Sequence, residues 1–285
     1  PVLLSALIVL GASGGGVSPL AATGIIGIKL CADFGLHDIG QQFLLNGVLS
    51  STVYAVIIYI ALGGYKLESH LTMTTNAHIS FDKKQLITLA GIGVMVLLVL
   101  LFKFNVGLVS FAVAAVLSFL RVSDESKALK QVPWGTLLLI TGVGVLMQLI
   151  IDLGGIKMLA AALISIMSEK TATAIMGITS GIMSWFSSTS GVVMPTLIPT
   201  IPHIVSEFPG VSKLELATAI TMISNTAGIS PLSTGGALAL AAYSSAANAG
   251  QKEQQELFVK MFAISATGVL VLSVLSYFGL YRWLL

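Results

Sequence analysis

Three clusters of hydroxyl, glycine and amide residues interrupt a chain that is otherwise mostly hydrocarbon. The first holds Ser13, Gly14, Gly15, Ser18 and Thr23, with Pro19. The second is Ser187, Ser188, Thr189, Ser190 and Gly191; the third runs from Ser224, Asn225 and Thr226 through Ser230 and Pro231 to Ser233 and Thr234. Such residues break a helix, and a break inside a bilayer leaves backbone groups that must be satisfied locally or by a ligand. Half-helix N-termini offer N–H donors and partial positive charge, which suits a carboxylate. Half-helix C-termini offer carbonyls, which with hydroxyl and amide oxygens suit a hard cation such as Na+. Substrate contact is therefore expected from Ser187, Ser188, Thr189, Ser190, Gly191, Asn225, Thr226, Ser230, Pro231, Ser233, Thr234, Ser18 and Pro19. The Na+ candidates are Ser13, Gly14, Gly15, Ser188, Thr189, Ser224 and Asn225. Small and hydroxyl residues also mediate close packing between membrane helices, but clustering at a break favours a site.

None of the three breaks contains Asp, Glu, Lys, Arg or His. Proton coupling ordinarily uses an intramembrane ionisable residue, and the candidates near spans, Asp152 and Lys157, sit at an end. Neutral oxygen ligands thus point to Na+ as the coupling ion, with no other cofactor, and to a small organic anion accompanied by its cation. A proton-coupled permease and a channel are the alternatives. A third is an intramembrane serine protease, because Gly11-Ala12-Ser13-Gly14 resembles the serine motif of the rhomboid family. That chemistry needs a base in hydrogen-bond reach of the serine, and His37, His70, His78 and His203 all fall in or near polar connections. No enzyme is expected. The single cysteine, Cys31, excludes an internal disulfide and a cysteine-built metal site. A net charge of +2 gives no reason for a nucleic-acid partner.

The elements that hold these clusters must be membrane helices. Hydrophobic residues make up 55% of the chain and charged ones only 9%, against roughly 25% charged in soluble domains. Leu44–Leu62, Leu86–Phe102, Val106–Leu120, Trp134–Ile151 and Phe258–Leu280 approach the ~20 residues needed to span a hydrocarbon core. They are continuously apolar rather than alternating, so a β-barrel is excluded. The polar stretch Gly64–Gln85, with Lys66, Lys83 and Lys84, belongs at a membrane surface, and Arg121–Gln131 reads as a charged loop. Val2–Gly11 reads as a short helix entering a Gly-rich loop, Ala12–Ser18, followed by the apolar Leu20–Ala32.

Ala172–Phe186 and Val192–Ile204 are each too short to cross, and polar residues flank them at Glu169–Lys170 and Glu207–Lys213. A re-entrant hairpin with its tip at Ser187–Gly191 fits better than one kinked span. Leu214–Thr226 then reads as an apolar half-helix, Ala227–Gly236 as its interruption, and Ala237–Ala247 as its resumption.

The two broken helices are related. Gly16-Val17-Ser18-Pro19-Leu20 matches Gly228-Ile229-Ser230-Pro231-Leu232, and downstream Phe43, Ser50 and Thr52 pair with Phe258, Ser265 and Thr267. Counting crossings makes the two copies antiparallel. Inverted repeats with broken helices at matching places are the signature of secondary transporters, with the site near the bilayer midplane. The expected fold is an all-α polytopic membrane protein, an inverted-repeat transporter with a re-entrant hairpin and discontinuous helices. Residues 1–64 form the C-terminal part of the first repeat. Residues 65–133 hold the surface segment and two linking spans. Residues 134–285 form the second repeat, with its hairpin at 171–205 and its broken helix at 214–247. Lysine placement favours Gly64–Gln85 and Arg121–Gln131 in the cytoplasm. An opening at Pro1, directly into apolar residues, suggests the C-terminal portion of a longer chain.

The runs SSTSGVVMPTLIP from Ser187, SNTAGISPLSTGGAL from Ser224 and GASGGGVSPLAATG from Gly11 resemble the ion transporter superfamily. Within it they are most similar to bacterial dicarboxylate carriers of the malonate/C4-dicarboxylate permease type, related to divalent anion:sodium symporters. The resemblance implies a dicarboxylate substrate, a homodimer in the cell (inner) membrane, and hairpin tips of Ser-Asn-Thr type that hold carboxylate and Na+. Carried over, the tip is Ser187–Gly191 and the unwound helix Asn225–Thr234. This tip reads Ser-Ser-Thr, whereas Ser-Asn-Thr occurs at Ser224–Thr226, on the following helix. The resemblance also places a partner hairpin ahead of Val2.

Overall fold

The computed structural model describes residues 2–66, 81–102, 104–122, 124–132, 134–247 and 250–282. Most of the polar stretch Gly64–Gln85, with His70 and His78, lies outside the described residues. What is described is helix and turn, with no strand among the described residues, as an all-α polytopic membrane protein requires. The chain divides into two compact units, Pro1–Leu67 with Leu138–Leu285, and Glu68–Leu137.

The smaller unit holds α4 (Lys83–Phe102), α5 (Val106–Phe119) and α6 (Glu125–Gln131). Asn105 caps α5 by accepting a hydrogen bond from the Leu108 N–H at 3.1 Å, and α4 packs on it where Gly91 faces Val113 and Leu117. No described residue of α4 is buried, so its apolar side chains need lipid around them. The charged stretch expected as a loop is partly helical. Asp124 accepts from Lys127 N–H at 3.2 Å, and Glu125 and Lys130 sit at the ends that complement the helix dipole.

The larger unit is built on two groups of closely packed helices. Helix α1 (Val2–Gly16) lies on α3 (Gly40–Ala61), and α9 (Ala172–Phe186) packs between α12 (Lys213–Ala227) and α14 (Gln251–Tyr277). Small residues set the spacing, as expected for helices without a hydrophobic drive between them. Gly177 meets Ile223 and Ser273, and Gly181 meets Val269. On the other side Gly14 meets Ser51 and Gly47. That contact corrects the expected loop at Ala12–Ser18. The glycines keep helical geometry because α3 packs on them, and α1 breaks only at Val17–Ala21 before α2 (Ala22–Ala32) resumes.

Helix α8 (Gly155–Ile164) leads into the hairpin. After α9 only Ser187 and Ser188 are non-helical, so the tip is shorter than Ser187–Gly191. A π-helical turn, Thr189–Val193, continues into α10 (Met194–Leu197), a 3-10 turn (Ile198–Thr200) and α11 (Ile201–Glu207). Pro195, Pro199 and Pro202 each fall in the first positions of one of these segments, where a missing N–H costs nothing. The chain then returns to its starting level. A methyl group added at Gly210 would stand 1.6 Å from the Glu169 carboxylate, so the two ends of the hairpin touch.

Helix α12 ends at Ala227, residues Gly228–Ser233 form the second break, and α13 (Thr234–Ala247) resumes. Its first half carries a surprise. Within the stretch read as apolar, Glu215 is 2% exposed and its carboxylate accepts from Arg282 Nε at 3.1 Å. Arg282 closes a 3-10 turn, Leu280–Arg282, that follows α14. Among the described residues α3, α4 and α14 are long and apolar enough to cross a membrane.

Candidate functional site

The two breaks share one hydrogen-bond pattern at a constant spacing of 212 residues. Ser18 Oγ accepts from Leu20 N–H at 3.3 Å, and Ser230 Oγ accepts from Leu232 N–H at 3.2 Å. Ser18 N–H donates to the Gly15 carbonyl as Ser230 N–H donates to that of Ala227, at 3.1 and 2.9 Å. Both returning helices carry, as their third residue, a glycine that has no room for a side chain. A methyl at Gly24 would lie 2.0 Å from the Ser18 carbonyl oxygen, and one at Gly236 would lie 2.2 Å from that of Ser230. The sequence match at these places is therefore a match of backbone geometry.

The repeats also touch each other through equivalent residues. Asn225 Nδ2 donates to the Ser13 carbonyl at 2.7 Å, and Ser13 Oγ donates to the Asn225 carbonyl at 3.4 Å. Residue 13 plus 212 is 225, so each member of the pair binds the backbone of its own counterpart. A reciprocal contact of this kind is what a two-fold relation produces. It lies at the C-terminal ends of α1 and α12, ahead of both breaks.

The hairpin tip completes the arrangement. Ser188 Oγ accepts from Gly191 N–H at 3.1 Å, and its carbonyl accepts from Val192 and Val193 N–H, so Ser188 caps the helical run that follows. Thr189 Oγ1 donates to the Ser224 carbonyl at 3.0 Å, and Ser184 Oγ donates to the same oxygen at 2.7 Å. The two hydroxyls are 2.8 Å apart. Three oxygens from α9, the tip and α12 thus meet at one point.

Between the breaks and the tip lies a cavity of about 540 Å3. Gly16, Asn225 and Gly228 bring the C-terminal ends of α1 and α12 to it. Thr23 and Gly235 bring the first turns of α2 and α13, and Ser188–Ser190 the start of the hairpin's second leg. Ile8, Val9, Leu238 and Ala239 form apolar wall. No ionisable side chain is among the described lining residues. Carbonyl ends and N–H ends of half-helices face the same space, which gives a neutral site with poles for both a cation and a carboxylate.

Of the residues expected to form the site, Ser13, Ser188, Thr189, Ser190, Asn225 and Ser233 line this cavity. Others shape it from behind. Ser187 Oγ turns back to the Met183 carbonyl at 2.6 Å, and Gly191 is buried in the turn that Ser188 caps. Ser18 and Ser230 are spent on the breaks, Pro19 packs on Gly40, and Pro231 is buried. Thr226 is buried with its methyl against Gly268. Ser224 Oγ bonds within α12, so only its carbonyl faces the tip. Gly14 faces α3, Gly15 offers its carbonyl to Ser18, and Thr234 opens α13. The protease alternative finds Ser13 Oγ turned toward a carbonyl, and no histidine among the described lining residues.

Sequence reasoning placed Thr23, Gly16 and Gly228 at the breaks without giving them a ligand role, and it missed Ser184 and Gly235. The signal for Ser184 was present: Gly177, Ser180, Gly181 and Ser184 form a small-residue face on α9, all buried. Gly235 could have been found by carrying the 212 spacing from Thr23, one turn past Leu20 and Leu232.

A family model described as citrate transporter matches residues 1–220. The match takes in the first break and the hairpin tip. No curated protein matches the chain.

Proposed function

The chain belongs to the citrate transporter family, and from that premise we propose that it is a Na+-coupled carrier of small di- or tricarboxylates that binds them in the cavity between the two breaks and the hairpin tip. Secondary transport of an anion follows from the family; the substrate, the coupling ion and the residues are our own reading. The observation that carries it is the neutral cavity faced by both poles of broken helices. In it the N–H groups at Thr23, Gly235 and Thr189–Ser190 would hold carboxylates, with Ser188, Ser190 and Ser233 as hydroxyl partners. Taking a multiply charged anion out of water costs several kcal/mol per charge in real proteins, and no Lys or Arg is among the described lining residues of the cavity. A co-bound cation supplies the missing charge. Its ligands would be the Ser224 carbonyl, Thr189 Oγ1 and Ser184 Oγ, with Ser188 and Asn225 oxygens beside them.

In the same reading the chain is a multi-pass protein of the cell (inner) membrane that works as a homodimer, and residues 1–64 and 134–285 act as inverted halves around the Ser13–Asn225 contact. The resemblance to dicarboxylate carriers and the reciprocal bonds support it. The test is uptake of labelled citrate, malate and malonate by the full-length protein in proteoliposomes, with and without an inward Na+ gradient. Uptake driven by Na+ supports the proposal. Na+-independent uptake that collapses with a protonophore overturns the coupling ion.

One observation favours a proton-coupled carrier as the second reading. Glu215, on the helix that carries Asn225, is a buried carboxylate of the kind that marks proton pathways in membranes. Arg282 already neutralises it at 3.1 Å, which is why Na+ is preferred.

A further inference from the structure

Helix α3 carries a polar stripe that the cavity does not use. Gln42, Asn46, Ser50 and Tyr54 recur every four residues and so follow one face of the helix. Asn46 is 0% exposed, and Ser50 and Tyr54 are also buried. Several of the stripe's protons are already committed. Asn46 Nδ2 donates to the Gln42 carbonyl at 2.9 Å, and Ser50 Oγ donates to the Asn46 carbonyl at 2.7 Å. Ser50 Oγ also reaches Tyr281 Oη at 3.3 Å, sharing its one proton between the two acceptors. Tyr54 donates to the Ile264 carbonyl. The side-chain carbonyls are not used: Gln42 Oε1 and Asn46 Oδ1 are buried and have no hydrogen-bond partner in the protein.

The internal repeat provides a control. At the downstream spacing of 215, Gln42 corresponds to Leu257 and Asn46 to Met261, both buried. The same helix packs in the other half with hydrocarbon at these places, so the fold does not call for two buried amides. Buried polar groups without partners in a native protein call for a ligand or a role. Three more such oxygens belong to neighbouring helices: Thr218 Oγ1 is one turn beyond Glu215 on α12, and Ser273 Oγ and Ser276 Oγ are near the end of α14. Helix α12 begins and α14 ends in the region where Tyr281 and Arg282 reach α3 and α12.

We propose that Gln42 Oε1 and Asn46 Oδ1 are ligands of a monovalent alkali cation, with Na+ the candidate, bound inside the helix bundle apart from the cavity. Two amide oxygens one helical turn apart, with the Asn46 amide proton committed to a backbone carbonyl, present lone pairs, and hard cations take oxygen ligands of this kind. A single charge fits better than a double one. The nearby carboxylate, Glu215, is balanced by Arg282, and no group of three acidic, His or Cys residues among the described residues could hold a divalent ion.

The proposal does not rest on the transport reading and is tested without it. The unfolding temperature of the purified full-length protein is measured in NaCl and in choline chloride at equal ionic strength, in a Thr189→Ala background that removes a ligand of the cavity cation. Na+ is expected to raise it, and the double change Gln42→Leu with Asn46→Met, which copies the other repeat, is expected to abolish the rise. No difference between the salts, as bound water would give, overturns the site. So does a rise that survives the double change. If the double variant does not fold, Asn46→Asp adds a charge to the same place and should lower the half-saturating Na+ concentration roughly tenfold or more; an unchanged value overturns the site equally.

Discussion

The two breaks, Val17–Ala21 and Gly228–Ser233, have one backbone and two sets of side chains. Their hydrogen bonds agree to within 0.2 Å at Ser18 and Ser230 and at the carbonyls of Gly15 and Ala227. The residues facing the cavity differ: Ser13 against Asn225 and Thr23 against Gly235, while Ser233 faces it and its counterpart Ala21 does not line it. Duplicated chain thus supplies the geometry of an opened helix, and substitution at a few matching places supplies the chemistry. The account separates two kinds of residue, those that make a break and those that use it, and they should respond differently to mutation.

The largest effects should come from the glycines that make the breaks. Gly24→Ala and Gly236→Ala each force a methyl into a backbone carbonyl that cannot give way, and each should cost about 1–3 kcal/mol or more. Thermal unfolding in detergent is the check. A large loss at one position with none at the other would show that the breaks are not equivalent.

Next come the counterparts across the two-fold. Asn225→Ala removes a 2.7 Å bond and leaves the Ser13 carbonyl without its donor, at about 1–3 kcal/mol. Ser13→Ala removes only a 3.4 Å contact and should cost about 0.5 kcal/mol. Equal costs would contradict the asymmetry argued from these distances. In uptake, Asn225→Ala should also fall further than Ser13→Ala.

Thr189→Ala and Ser184→Ala each delete one of two hydroxyls on the Ser224 carbonyl. Both should raise the Na+ concentration needed for half-maximal uptake, with maximal rates less affected. A change confined to substrate affinity would move these hydroxyls from the cation to the anion. The smallest effects belong to Ser18→Ala and Ser230→Ala. Each loses one local bond inside the break, so each should cost about 0.5–1.5 kcal/mol, and the two values should agree closely.

Much of this arrangement was legible in the sequence because breaking a membrane helix needs particular residues. Ser-Pro after glycine marked both interruptions, and three prolines marked the hairpin's second leg. The end of α1 was not legible. Gly14, Gly15 and Gly16 read as a loop by composition, yet Gly14 stays helical because Gly47 and Ser51 of α3 lie against it, a contact about 35 residues away in the chain. Glu215 was hidden in an apolar run for a similar reason, since its partner Arg282 stands 67 residues downstream. The role of Ser184 was obscured because a hydroxyl on a packed helix looks the same whether it faces a neighbour or a site. Local chemistry announces a break; which side chains face the resulting space depends on contacts across the fold.

The central claim is that the space between the breaks and the hairpin tip holds the transported anion. Cys31 is buried, so a Ser190→Cys variant of the full-length protein places a reactive thiol in the cavity against a quiet background. The measurement is its rate of alkylation by a polar maleimide, with Na+ present, as citrate or malonate is added. The account predicts that whichever anion is transported slows the labelling at the concentrations that saturate uptake, while a Leu4→Cys thiol on the exposed face of α1 labels at an unchanged rate. Labelling of Ser190→Cys that ignores a saturating transported anion would contradict it.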